Sequence, residues 1–486
     1  ATPGRVPPLP FGLCDVPDTQ SRRPLALDLD ASAHLMILGS PRSGRTTALR
    51  TLAGSLARNA SADDVHLYVI DPGGGLGALT ALPHTGAVVG RDAPDRLDRV
   101  LTWLTDEVAR RQSMLGASGQ AGISEQRAAA PPGGRLPHLV VMLDRWEAFL
   151  ATYQDLDAGR FIELFYRLLR EGPSAGLHVV MTADRTGLIG RVSSMIQDRV
   201  VLRLADRADY AGAGLPTRLI PDDLPPGRGW SVSAAPLAAQ VALLDADPSG
   251  PAQTAAVERL AGAPATHTPP RRIEPLPASV LLSSLPAAAG GVVLGVGGDE
   301  LEPVTVDLSD GGFVVSGPPR SGRSTTLLTI GRQLLASGAR VVAVAPRRSP
   351  LRELPHCHTD REASYDLEAL LAESPAALLI DDAELLVDSP LANVLEKAVR
   401  EMRDTNTIVV AAGTTDELVT GYRGFVVELR RSKCGVLLSP QSAADGDLLG
   451  VRLSRSVGAP VHPGRGLLCA RGTTTPLQVA ASGDPA

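Results

Sequence analysis

Lysine is almost missing from this chain. Of its 486 residues only Lys397 and Lys433 are lysines, and the remaining basic side chains are arginines. An arginine at a position where lysine is customary therefore has two readings, compositional and functional. Cysteine is equally sparse. Cys14, Cys357, Cys434 and Cys469 are scattered without disulfide or zinc spacing, which excludes a disulfide-stapled scaffold and fits a reducing compartment. The tract His356-Cys357-His358 has metal-binding residue types, but three adjacent side chains rarely converge on one ion, so it reads as an ordinary loop. No apolar stretch approaches the ~20 residues of a membrane-spanning helix. An excess of positive charge is also lacking. The net charge is −6 and the isoelectric point about 5.9, which argues against a nucleic-acid surface spread over the whole protein while leaving room for a local basic patch.

What is present is an ordinary globular balance, 44% hydrophobic and 21% charged, and a length that admits two to four domains. Against that background one stretch stands out. Gly39-Ser40-Pro41-Arg42-Ser43-Gly44-Arg45-Thr46 has the spacing of a phosphate-binding loop, with arginine in the lysine position. It follows an apolar run, His34–Leu38, and precedes a helical pattern, Thr47–Leu56. That strand–loop–helix context is what a P-loop requires: glycines let successive N–H groups face one anion, and the helix N-terminus adds partial positive charge. The arrangement returns as Gly317-Pro318-Pro319-Arg320-Ser321-Gly322-Arg323-Ser324, between Gly312–Ser316 and Thr325–Leu335. Two such loops in one chain, each in context, predict two ATP-binding sites.

Around the first loop the pattern is that of a parallel sheet. Pro24–Asp30, Val65–Ile70, Leu139–Leu143, Leu177–Thr182 and Val200–Leu204 read as strands, with a final pair ending near Leu244. A long amphipathic helix carries Leu97, Val100, Leu101, Leu104, Val108 and Leu115, a second helix covers Phe161–Glu171, and Gly116–Gly134 reads as a polar loop. The strand Leu139–Leu143 closes on Asp144, the Walker B pattern, in which an acid at a strand tip holds Mg²⁺ opposite the hydroxyl of Thr46. Ala1–Pro10 reads as a linker cut from something longer, and the chain as a C-terminal fragment. Asp245–Arg272, rich in Pro, Ala, Thr and Gly, reads as an interdomain linker.

After that linker the pattern restarts. Pro303–Ser309 echoes Pro24–Asp30, Val341–Ala345 is a strand, Leu378–Ile380 leads into Asp381 and Asp382, Ile408–Ala412 echoes Val179–Met181, and the turn Pro463-Gly464-Arg465-Gly466 repeats Pro226-Gly227-Arg228-Gly229. Asp381 follows Asp144 by 237 residues and Gly464 follows Gly227 by the same 237, whereas Gly317 follows Gly39 by 278. The second copy therefore lacks 41 residues between loop and acid. The expectation is an α/β chain of two tandem RecA-like P-loop domains, each a mostly parallel sheet flanked by helices, with boundaries at 1–248, a linker at 249–275, and 276–486.

These motifs resemble the FtsK/SpoIIIE branch of P-loop ATPases and, within it, the EccC motors of type VII secretion. The resemblance rests on Tyr68–Gly75 with Pro83-His84-Thr85-Gly86, Gly176–Val180 followed by Thr182–Arg185, Leu379–Leu386, Tyr422-Arg423-Gly424, Gly435–Pro440 and Asp445–Gly450. It covers about Pro7 to Ala480 and fits the second and third ATPase domains of that family. It implies a cytoplasmic module tethered to the inner face of the membrane through segments outside this chain. It also implies an upstream ATPase domain and membrane complex as partners, a ring- or chain-forming assembly such as a hexamer, and a helical secreted protein whose signal is engaged. Arg199 and Arg203 in the first domain and Arg423 in the second are candidate arginine fingers, since they occupy the stretch where FtsK-like proteins keep inter-subunit arginines; ordinary surface arginines are the alternative reading.

Both sites depart from an active motor. A working site of this type carries glutamate directly after the Walker B acid; here Arg145 follows Asp144, and Asp382 follows Asp381. Arginine accepts no proton, and aspartate is one methylene short. Glu147 and Glu384, three residues past each acid, read as first-turn residues of the following helix rather than displaced bases. Arg45 and Arg323 keep the charge of the customary lysine but not its shape. The sequence thus predicts ATP and Mg²⁺ at Gly39–Thr46 with Asp144 and at Gly317–Ser324 with Asp381 and Asp382, slow or regulatory hydrolysis, and no confident catalytic residue. Two rival readings remain: a DNA translocase of the FtsK type, with nucleic acid the less favoured partner, and a non-catalytic scaffold whose packing nucleotide sets.

Overall fold

Short strands buried on both faces dominate the first half of the chain. Leu35-Met36-Ile37-Leu38 is buried throughout, as are Val65–Asp71, His138–Leu143 and Leu177–Ala183. Runs without polar alternation belong in the interior of a parallel sheet covered on both sides. The computed structural model, which describes residues 4–221, 223–232, 235–262, 268–288, 290–308, 312–373, 377–421, 423–453 and 462–483, builds that sheet. Its strands are β1 (Leu9–Val16), β2 (Ser21–Leu27), β3 (Leu35–Leu38), β4 (Val65–Asp71), β5 (Thr85–Gly90), β6 (His138–Leu143), β7 (Leu177–Ala183), β8 (Asp198–Leu202), β9 (Arg228–Val232) and β10 (Leu237–Val241). Their order is β2-β1-β10-β9-β8-β3-β7-β6-β4-β5. From β8 to β5 the strands run parallel; from β8 to β2 each pairing is antiparallel.

Alternation along β3 splits the core in two. Met36 and Leu38 join a cluster with Leu97, Leu101 and Leu104 of the helix Pro94–Ala117 and Phe161 and Phe165 of the helix Arg160–Glu171. Leu35 and Ile37 face the other way, onto Leu49, Leu52 and Leu56 of the helix Arg45–Asn59. Each such side chain contributes about 1.5–3 kcal/mol of burial, so the strand that delivers the first loop is held from both faces.

The second half repeats the sheet. Strands β11 (Val292–Gly297), β12 (Glu302–Val306), β13 (Phe313–Ser316), β14 (Val341–Val344), β15 (His356–His358), β16 (Ala377–Ile380), β17 (Ile408–Gly413), β18 (Gly435–Leu438), β19 (Arg465–Ala470) and β20 (Thr473–Val479) lie in the order β12-β11-β20-β19-β18-β13-β17-β16-β14-β15. The parallel and antiparallel pairings match strand for strand. Two α/β domains, each a mostly parallel sheet between helices, are what the sequence predicts. Part of the missing 41 residues is accounted for: where the first domain has the 24-residue helix Pro94–Ala117 followed by the helix Ile123–Ala129, the second has the 8-residue helix Ser364–Leu371. The chain divides into compact units at Ala1–Ile273 and Glu274–Ala486.

Three expectations need revision. The supposed leading linker already enters the sheet, with Val6 and Leu9 buried and β1 beginning at Leu9. The polar loop 116–134 contains the helix Ile123–Ala129, anchored by Arg127, whose buried guanidinium donates to Asp64, the Gly4 carbonyl and the Leu136 carbonyl. The linker 249–275 contains the helix Gly250–Glu258, and Val257 joins the first domain's core. Beyond it, Arg271 and Thr268 offer their carbonyls to Tyr68 and His66. Of the positions read from sequence, 263–267, Ser309 and Tyr422 lie outside the described residues.

Candidate functional site: two nucleotide-binding loops

Each loop hangs between strand ends. Gly39 N–H donates to the Ala183 carbonyl at the end of β7 (3.0 Å), and Ser40 donates through N–H (2.8 Å) and Oγ (2.9 Å) to the Arg203 carbonyl just past β8. The loop then turns through two left-handed residues, Arg42 at φ 64° and Gly44 at φ 103°; the second loop repeats this at Arg320, φ 67°, and Gly322, φ 103°. The helices Arg45–Asn59 and Arg323–Ala336 start immediately afterwards, with no side chain capping their first N–H groups.

The repeated Pro-Gly-Arg-Gly turns explain themselves here. Gly227 N–H donates to the Ser43 carbonyl and Gly464 N–H to the Ser321 carbonyl, both at 2.8 Å. The turn braces the loop from behind so closely that a Cβ on Gly44 would lie 3.0 Å from the Gly227 nitrogen, and one on Gly322 3.0 Å from that of Gly464. Only glycine meets both the positive φ and this approach. Inside the loops, Ser43 Oγ and Ser321 Oγ are buried without a hydrogen-bond partner. Uncapped helix N–H groups, left-handed turns and an unsatisfied buried hydroxyl together fit an oxyanion.

The acids differ in their surroundings. Asp144, fully buried at the tip of β6, accepts from Thr46 Oγ1 (2.8 Å) on one oxygen and from Thr182 Oγ1 (2.7 Å) on the other. Arg145 is turned into the left-handed region, φ 69°, with Nε 3.7 Å from Asp144 Oδ2. Asp381, at the tip of β16, accepts from Ser349 Oγ (2.7 Å) and from the Asp382 N–H (3.1 Å). Asp382 is left-handed as well, φ 47°. Burial first, then the neighbouring charges of Asp381 and Glu384, raise its pKa above the usual aspartate range.

Both loop arginines are committed to acids beyond the Walker position. Arg45 is 8% exposed and pairs with Glu147 at 2.8 Å; Glu147 Oε2 also accepts from the Asp184 N–H. Arg323 donates to Thr414 Oγ1 (2.8 Å) and the Gly317 carbonyl (3.2 Å), and lies 3.6 Å from Asp382. Thr414 in turn donates to Glu384 (3.1 Å). Glu147 does lie in the first turn of the next helix, Trp146–Tyr153, and Glu384 in a single 3₁₀ turn, Ala383–Leu385. Their side chains, however, do more than start a helix: they anchor the loop arginines. Sequence reasoning missed this role, and with it Thr182, Thr414 and Ser349; a threonine closing or following the strand after each acid was the available signal.

The candidate fingers have separate environments. Arg199 lies on β8, its guanidinium bonded to the Ser193 and Ile196 carbonyls, and burial lowers its pKa. Arg203 touches the first loop through its backbone carbonyl. Arg423 is exposed and paired with exposed Asp388 at 2.9 Å.

Comparison with known proteins gives a consistent assignment. The family described as FtsK/SpoIIIE matches residues 9–223. The chain is 29% identical to the ESX-4 secretion system protein EccC4 of Mycobacterium tuberculosis, across 98% of this chain and 41% of that protein. It thus spans less than half the length of that relative. Among solved structures, EssC (ATPases 2 and 3) from Geobacillus thermodenitrificans has the same fold, with a TM-score of 0.73 at 19% identity, covering 98% of this chain and 96% of that one. Thermomonospora curvata EccC (ATPases 2 and 3) in complex with a signal sequence peptide follows, with a TM-score of 0.66 at 23% identity over 99% of this chain and 93% of that one. The first domain thus matches the FtsK/SpoIIIE family, and the two domains together resemble EccC4 in sequence and ATPases 2 and 3 of the type VII secretion proteins EssC and EccC in fold.

Proposed function

We propose that the chain is a tandem ATP-binding module of a type VII secretion-like export motor, regulatory rather than fast in hydrolysis, that engages a signal on a secreted protein. Each domain binds one ATP. The phosphates lie on the N–H groups of Gly39–Thr46 and Gly317–Ser324. In the second domain Ser324, Asp381 and Asp382 are the residues that would hold Mg²⁺, which would offset the clustering of Asp381, Asp382 and Glu384. Bound there, the ion would neutralise phosphate charge.

The observation that carries slow turnover is the state of the acids around each loop. The residue after each Walker acid is turned left-handed and offers Arg145 or the short Asp382, while Glu147 pairs with Arg45 and one oxygen of Glu384 accepts from Thr414. Neither glutamate directly follows its Walker acid, the position from which a fast hydrolase of this type orients water. The substrate reading rests on kinship with EccC4 and on the signal-peptide complex of the Thermomonospora curvata protein. The placement at the inner face of the membrane, through segments outside this chain, has the same basis. Among the described residues no helix is long and apolar enough to cross a membrane.

Titration calorimetry with ATP and Mg²⁺ on the wild type, Arg45→Ala and Arg323→Ala, with steady-state turnover on the same samples, tests the proposal. Two binding events with near-background turnover are expected. Brisk turnover lost in either variant would make the chain a motor in its own right, and absence of binding would leave a scaffold.

A further inference from the structure

The surroundings of Asp144 do not suit a divalent cation. Both carboxylate oxygens already accept hydrogen bonds, from Thr46 and Thr182, and the charge facing the Thr46-bonded oxygen is the Arg145 guanidinium, with Nε at 3.7 Å. That guanidinium is held, not adrift. On its far side it rests on Gly73, where a Cβ would come within 3.0 Å of Cζ. The loop bearing Gly73 is itself pinned: Asp71 accepts from the Gly75 N–H (3.1 Å) and the Leu76 N–H (2.6 Å), and Arg50 donates to the Gly75 carbonyl. From below, the Arg145 N–H donates to Thr182 Oγ1 at 2.7 Å, fixing the left-handed backbone that aims the side chain. The glycine loop also approaches the Thr46 side chain on its methyl side, since a Cβ on Gly75 would fall 2.8 Å from Thr46 Cγ2 and 3.9 Å from Asp144 Oδ2. The acid and the loop hydroxyl thus bond each other directly, and one guanidinium and a pinned glycine loop crowd the same carboxylate oxygen.

We infer that the first site binds ATP without a divalent cation, the Arg145 guanidinium standing where the metal would otherwise offset phosphate charge. This rests on the proposal that Gly39–Thr46 is an ATP site and specifies the ionic form of the ligand: the free tetra-anion rather than the magnesium complex. Arginine suits the task because its charge is permanent and its planar fork pairs with phosphate oxygens. The second domain has no counterpart, for Ser349, a neutral donor, bonds Asp381, and the next residue adds a carboxylate.

The test uses the full chain with Arg323→Ala, which weakens the second loop, and titrates ATP by calorimetry in Mg²⁺ and in excess EDTA. The first site is expected to hold ATP equally well in both, within about twofold, whereas adding Arg145→Ala should weaken binding in EDTA by about tenfold and make it recoverable by Mg²⁺. Thermal unfolding without ligand monitors the fold. If Arg145→Ala does not fold, Gly73→Ala, which pushes a methyl into the guanidinium and leaves the arginine in place, must show the same gain of Mg²⁺ dependence. A tenfold loss in EDTA for the chain that keeps Arg145, or an Arg145→Ala variant as indifferent to EDTA as its parent, overturns the inference while leaving the ATP site intact. Absence of ATP binding in both buffers overturns the site itself and this inference with it.

Discussion

Replacing Glu147 by glutamine separates an anchoring role from a catalytic one. The variant keeps the shape and an acceptor for the Asp184 N–H but removes the charge opposite Arg45. Removing one partner from a fully buried ion pair costs about 3–5 kcal/mol, and exposed pairs contribute about 1 kcal/mol or less. Arg45 is 8% exposed and Glu147 25%, so the pair lies between these limits, at about 2 kcal/mol. For a unit of this size that lowers the first domain's Tm by about 4–8 °C. The same change frees Arg45 for phosphate, so ATP affinity should rise by about three- to tenfold. Calorimetric unfolding with and without ATP reads both effects, and the stabilisation by ligand should exceed that of the wild type. A double-mutant cycle with Arg45→Ala isolates the pair. If Glu147→Gln leaves Tm unchanged and abolishes turnover at constant affinity, Glu147 is a water-activating base and the anchoring argument is wrong.

Other perturbations have equally definite outcomes. Gly322→Ala places a methyl at φ 103° and 3.0 Å from the Gly464 nitrogen; it should cost about 1–3 kcal/mol in the second domain and abolish its ATP binding, read as loss of one of two calorimetric sites. Acid should destabilise the first domain before its carboxylates matter. Burial holds His66 and His178 neutral, their pKa values lowered to about 4, and His138 also well below its ordinary range. As pH falls from about 6.5 to about 4 the unfolded chain takes up protons these histidines refuse in the fold, so stability is lost over that window, by about 2–3 kcal/mol per fully shifted group. Urea midpoints across that range would show it, and a flat profile would refute it.

The legible and illegible parts of this molecule divide on a physical line. The two strand–loop–helix turns were readable because a left-handed turn braced closely from behind demands glycine at fixed positions, and Gly44 and Gly322 leave that demand in the sequence. The central strands were readable because burial on both faces removes polar alternation from Leu139–Leu143 and its neighbours. Strand β1 was hidden by Pro8 and Pro10, which look like linker until it is known that Pro8 precedes the strand and Pro10 sits at a register shift, before the pairing with β10 begins at Gly12. The helix Ile123–Ala129 was hidden because its stability comes from one buried arginine reaching Asp64 and Gly4, partners far away in sequence. The helix Gly250–Glu258 is short and alanine-rich, and only its packing distinguishes it from a linker. Within the sites, Asp144 and Asp381 carried a strand-tip signature, but nothing local tied Glu147 to Arg45 or Ser349 to Asp381. Those pairings exist only once parallel strands bring loop ends from distant parts of the chain to one sheet edge.

Charge shows how one frame has been turned into two different sites. The first loop and its surroundings carry Arg42, Arg45 and Arg145 against Asp144 and Glu147; the second carry Arg320, Arg323 and Arg347 against Asp381, Asp382 and Glu384. The backbone beneath is the same in both, down to the left-handed residue after each acid and the glycine brace behind each loop. A highly anionic ligand therefore meets a surplus of positive charge in the first domain, whereas in the second the arginines are matched by three carboxylates. Entering the second site without a cation would set its phosphates against three carboxylates, one of which already has a raised pKa; entering the first with one would set that cation against a fixed guanidinium. The substitution of Arg145 for an acid is thus more than the loss of a catalytic group. It reverses the local charge, and with it the ionic form of nucleotide that the domain is suited to hold.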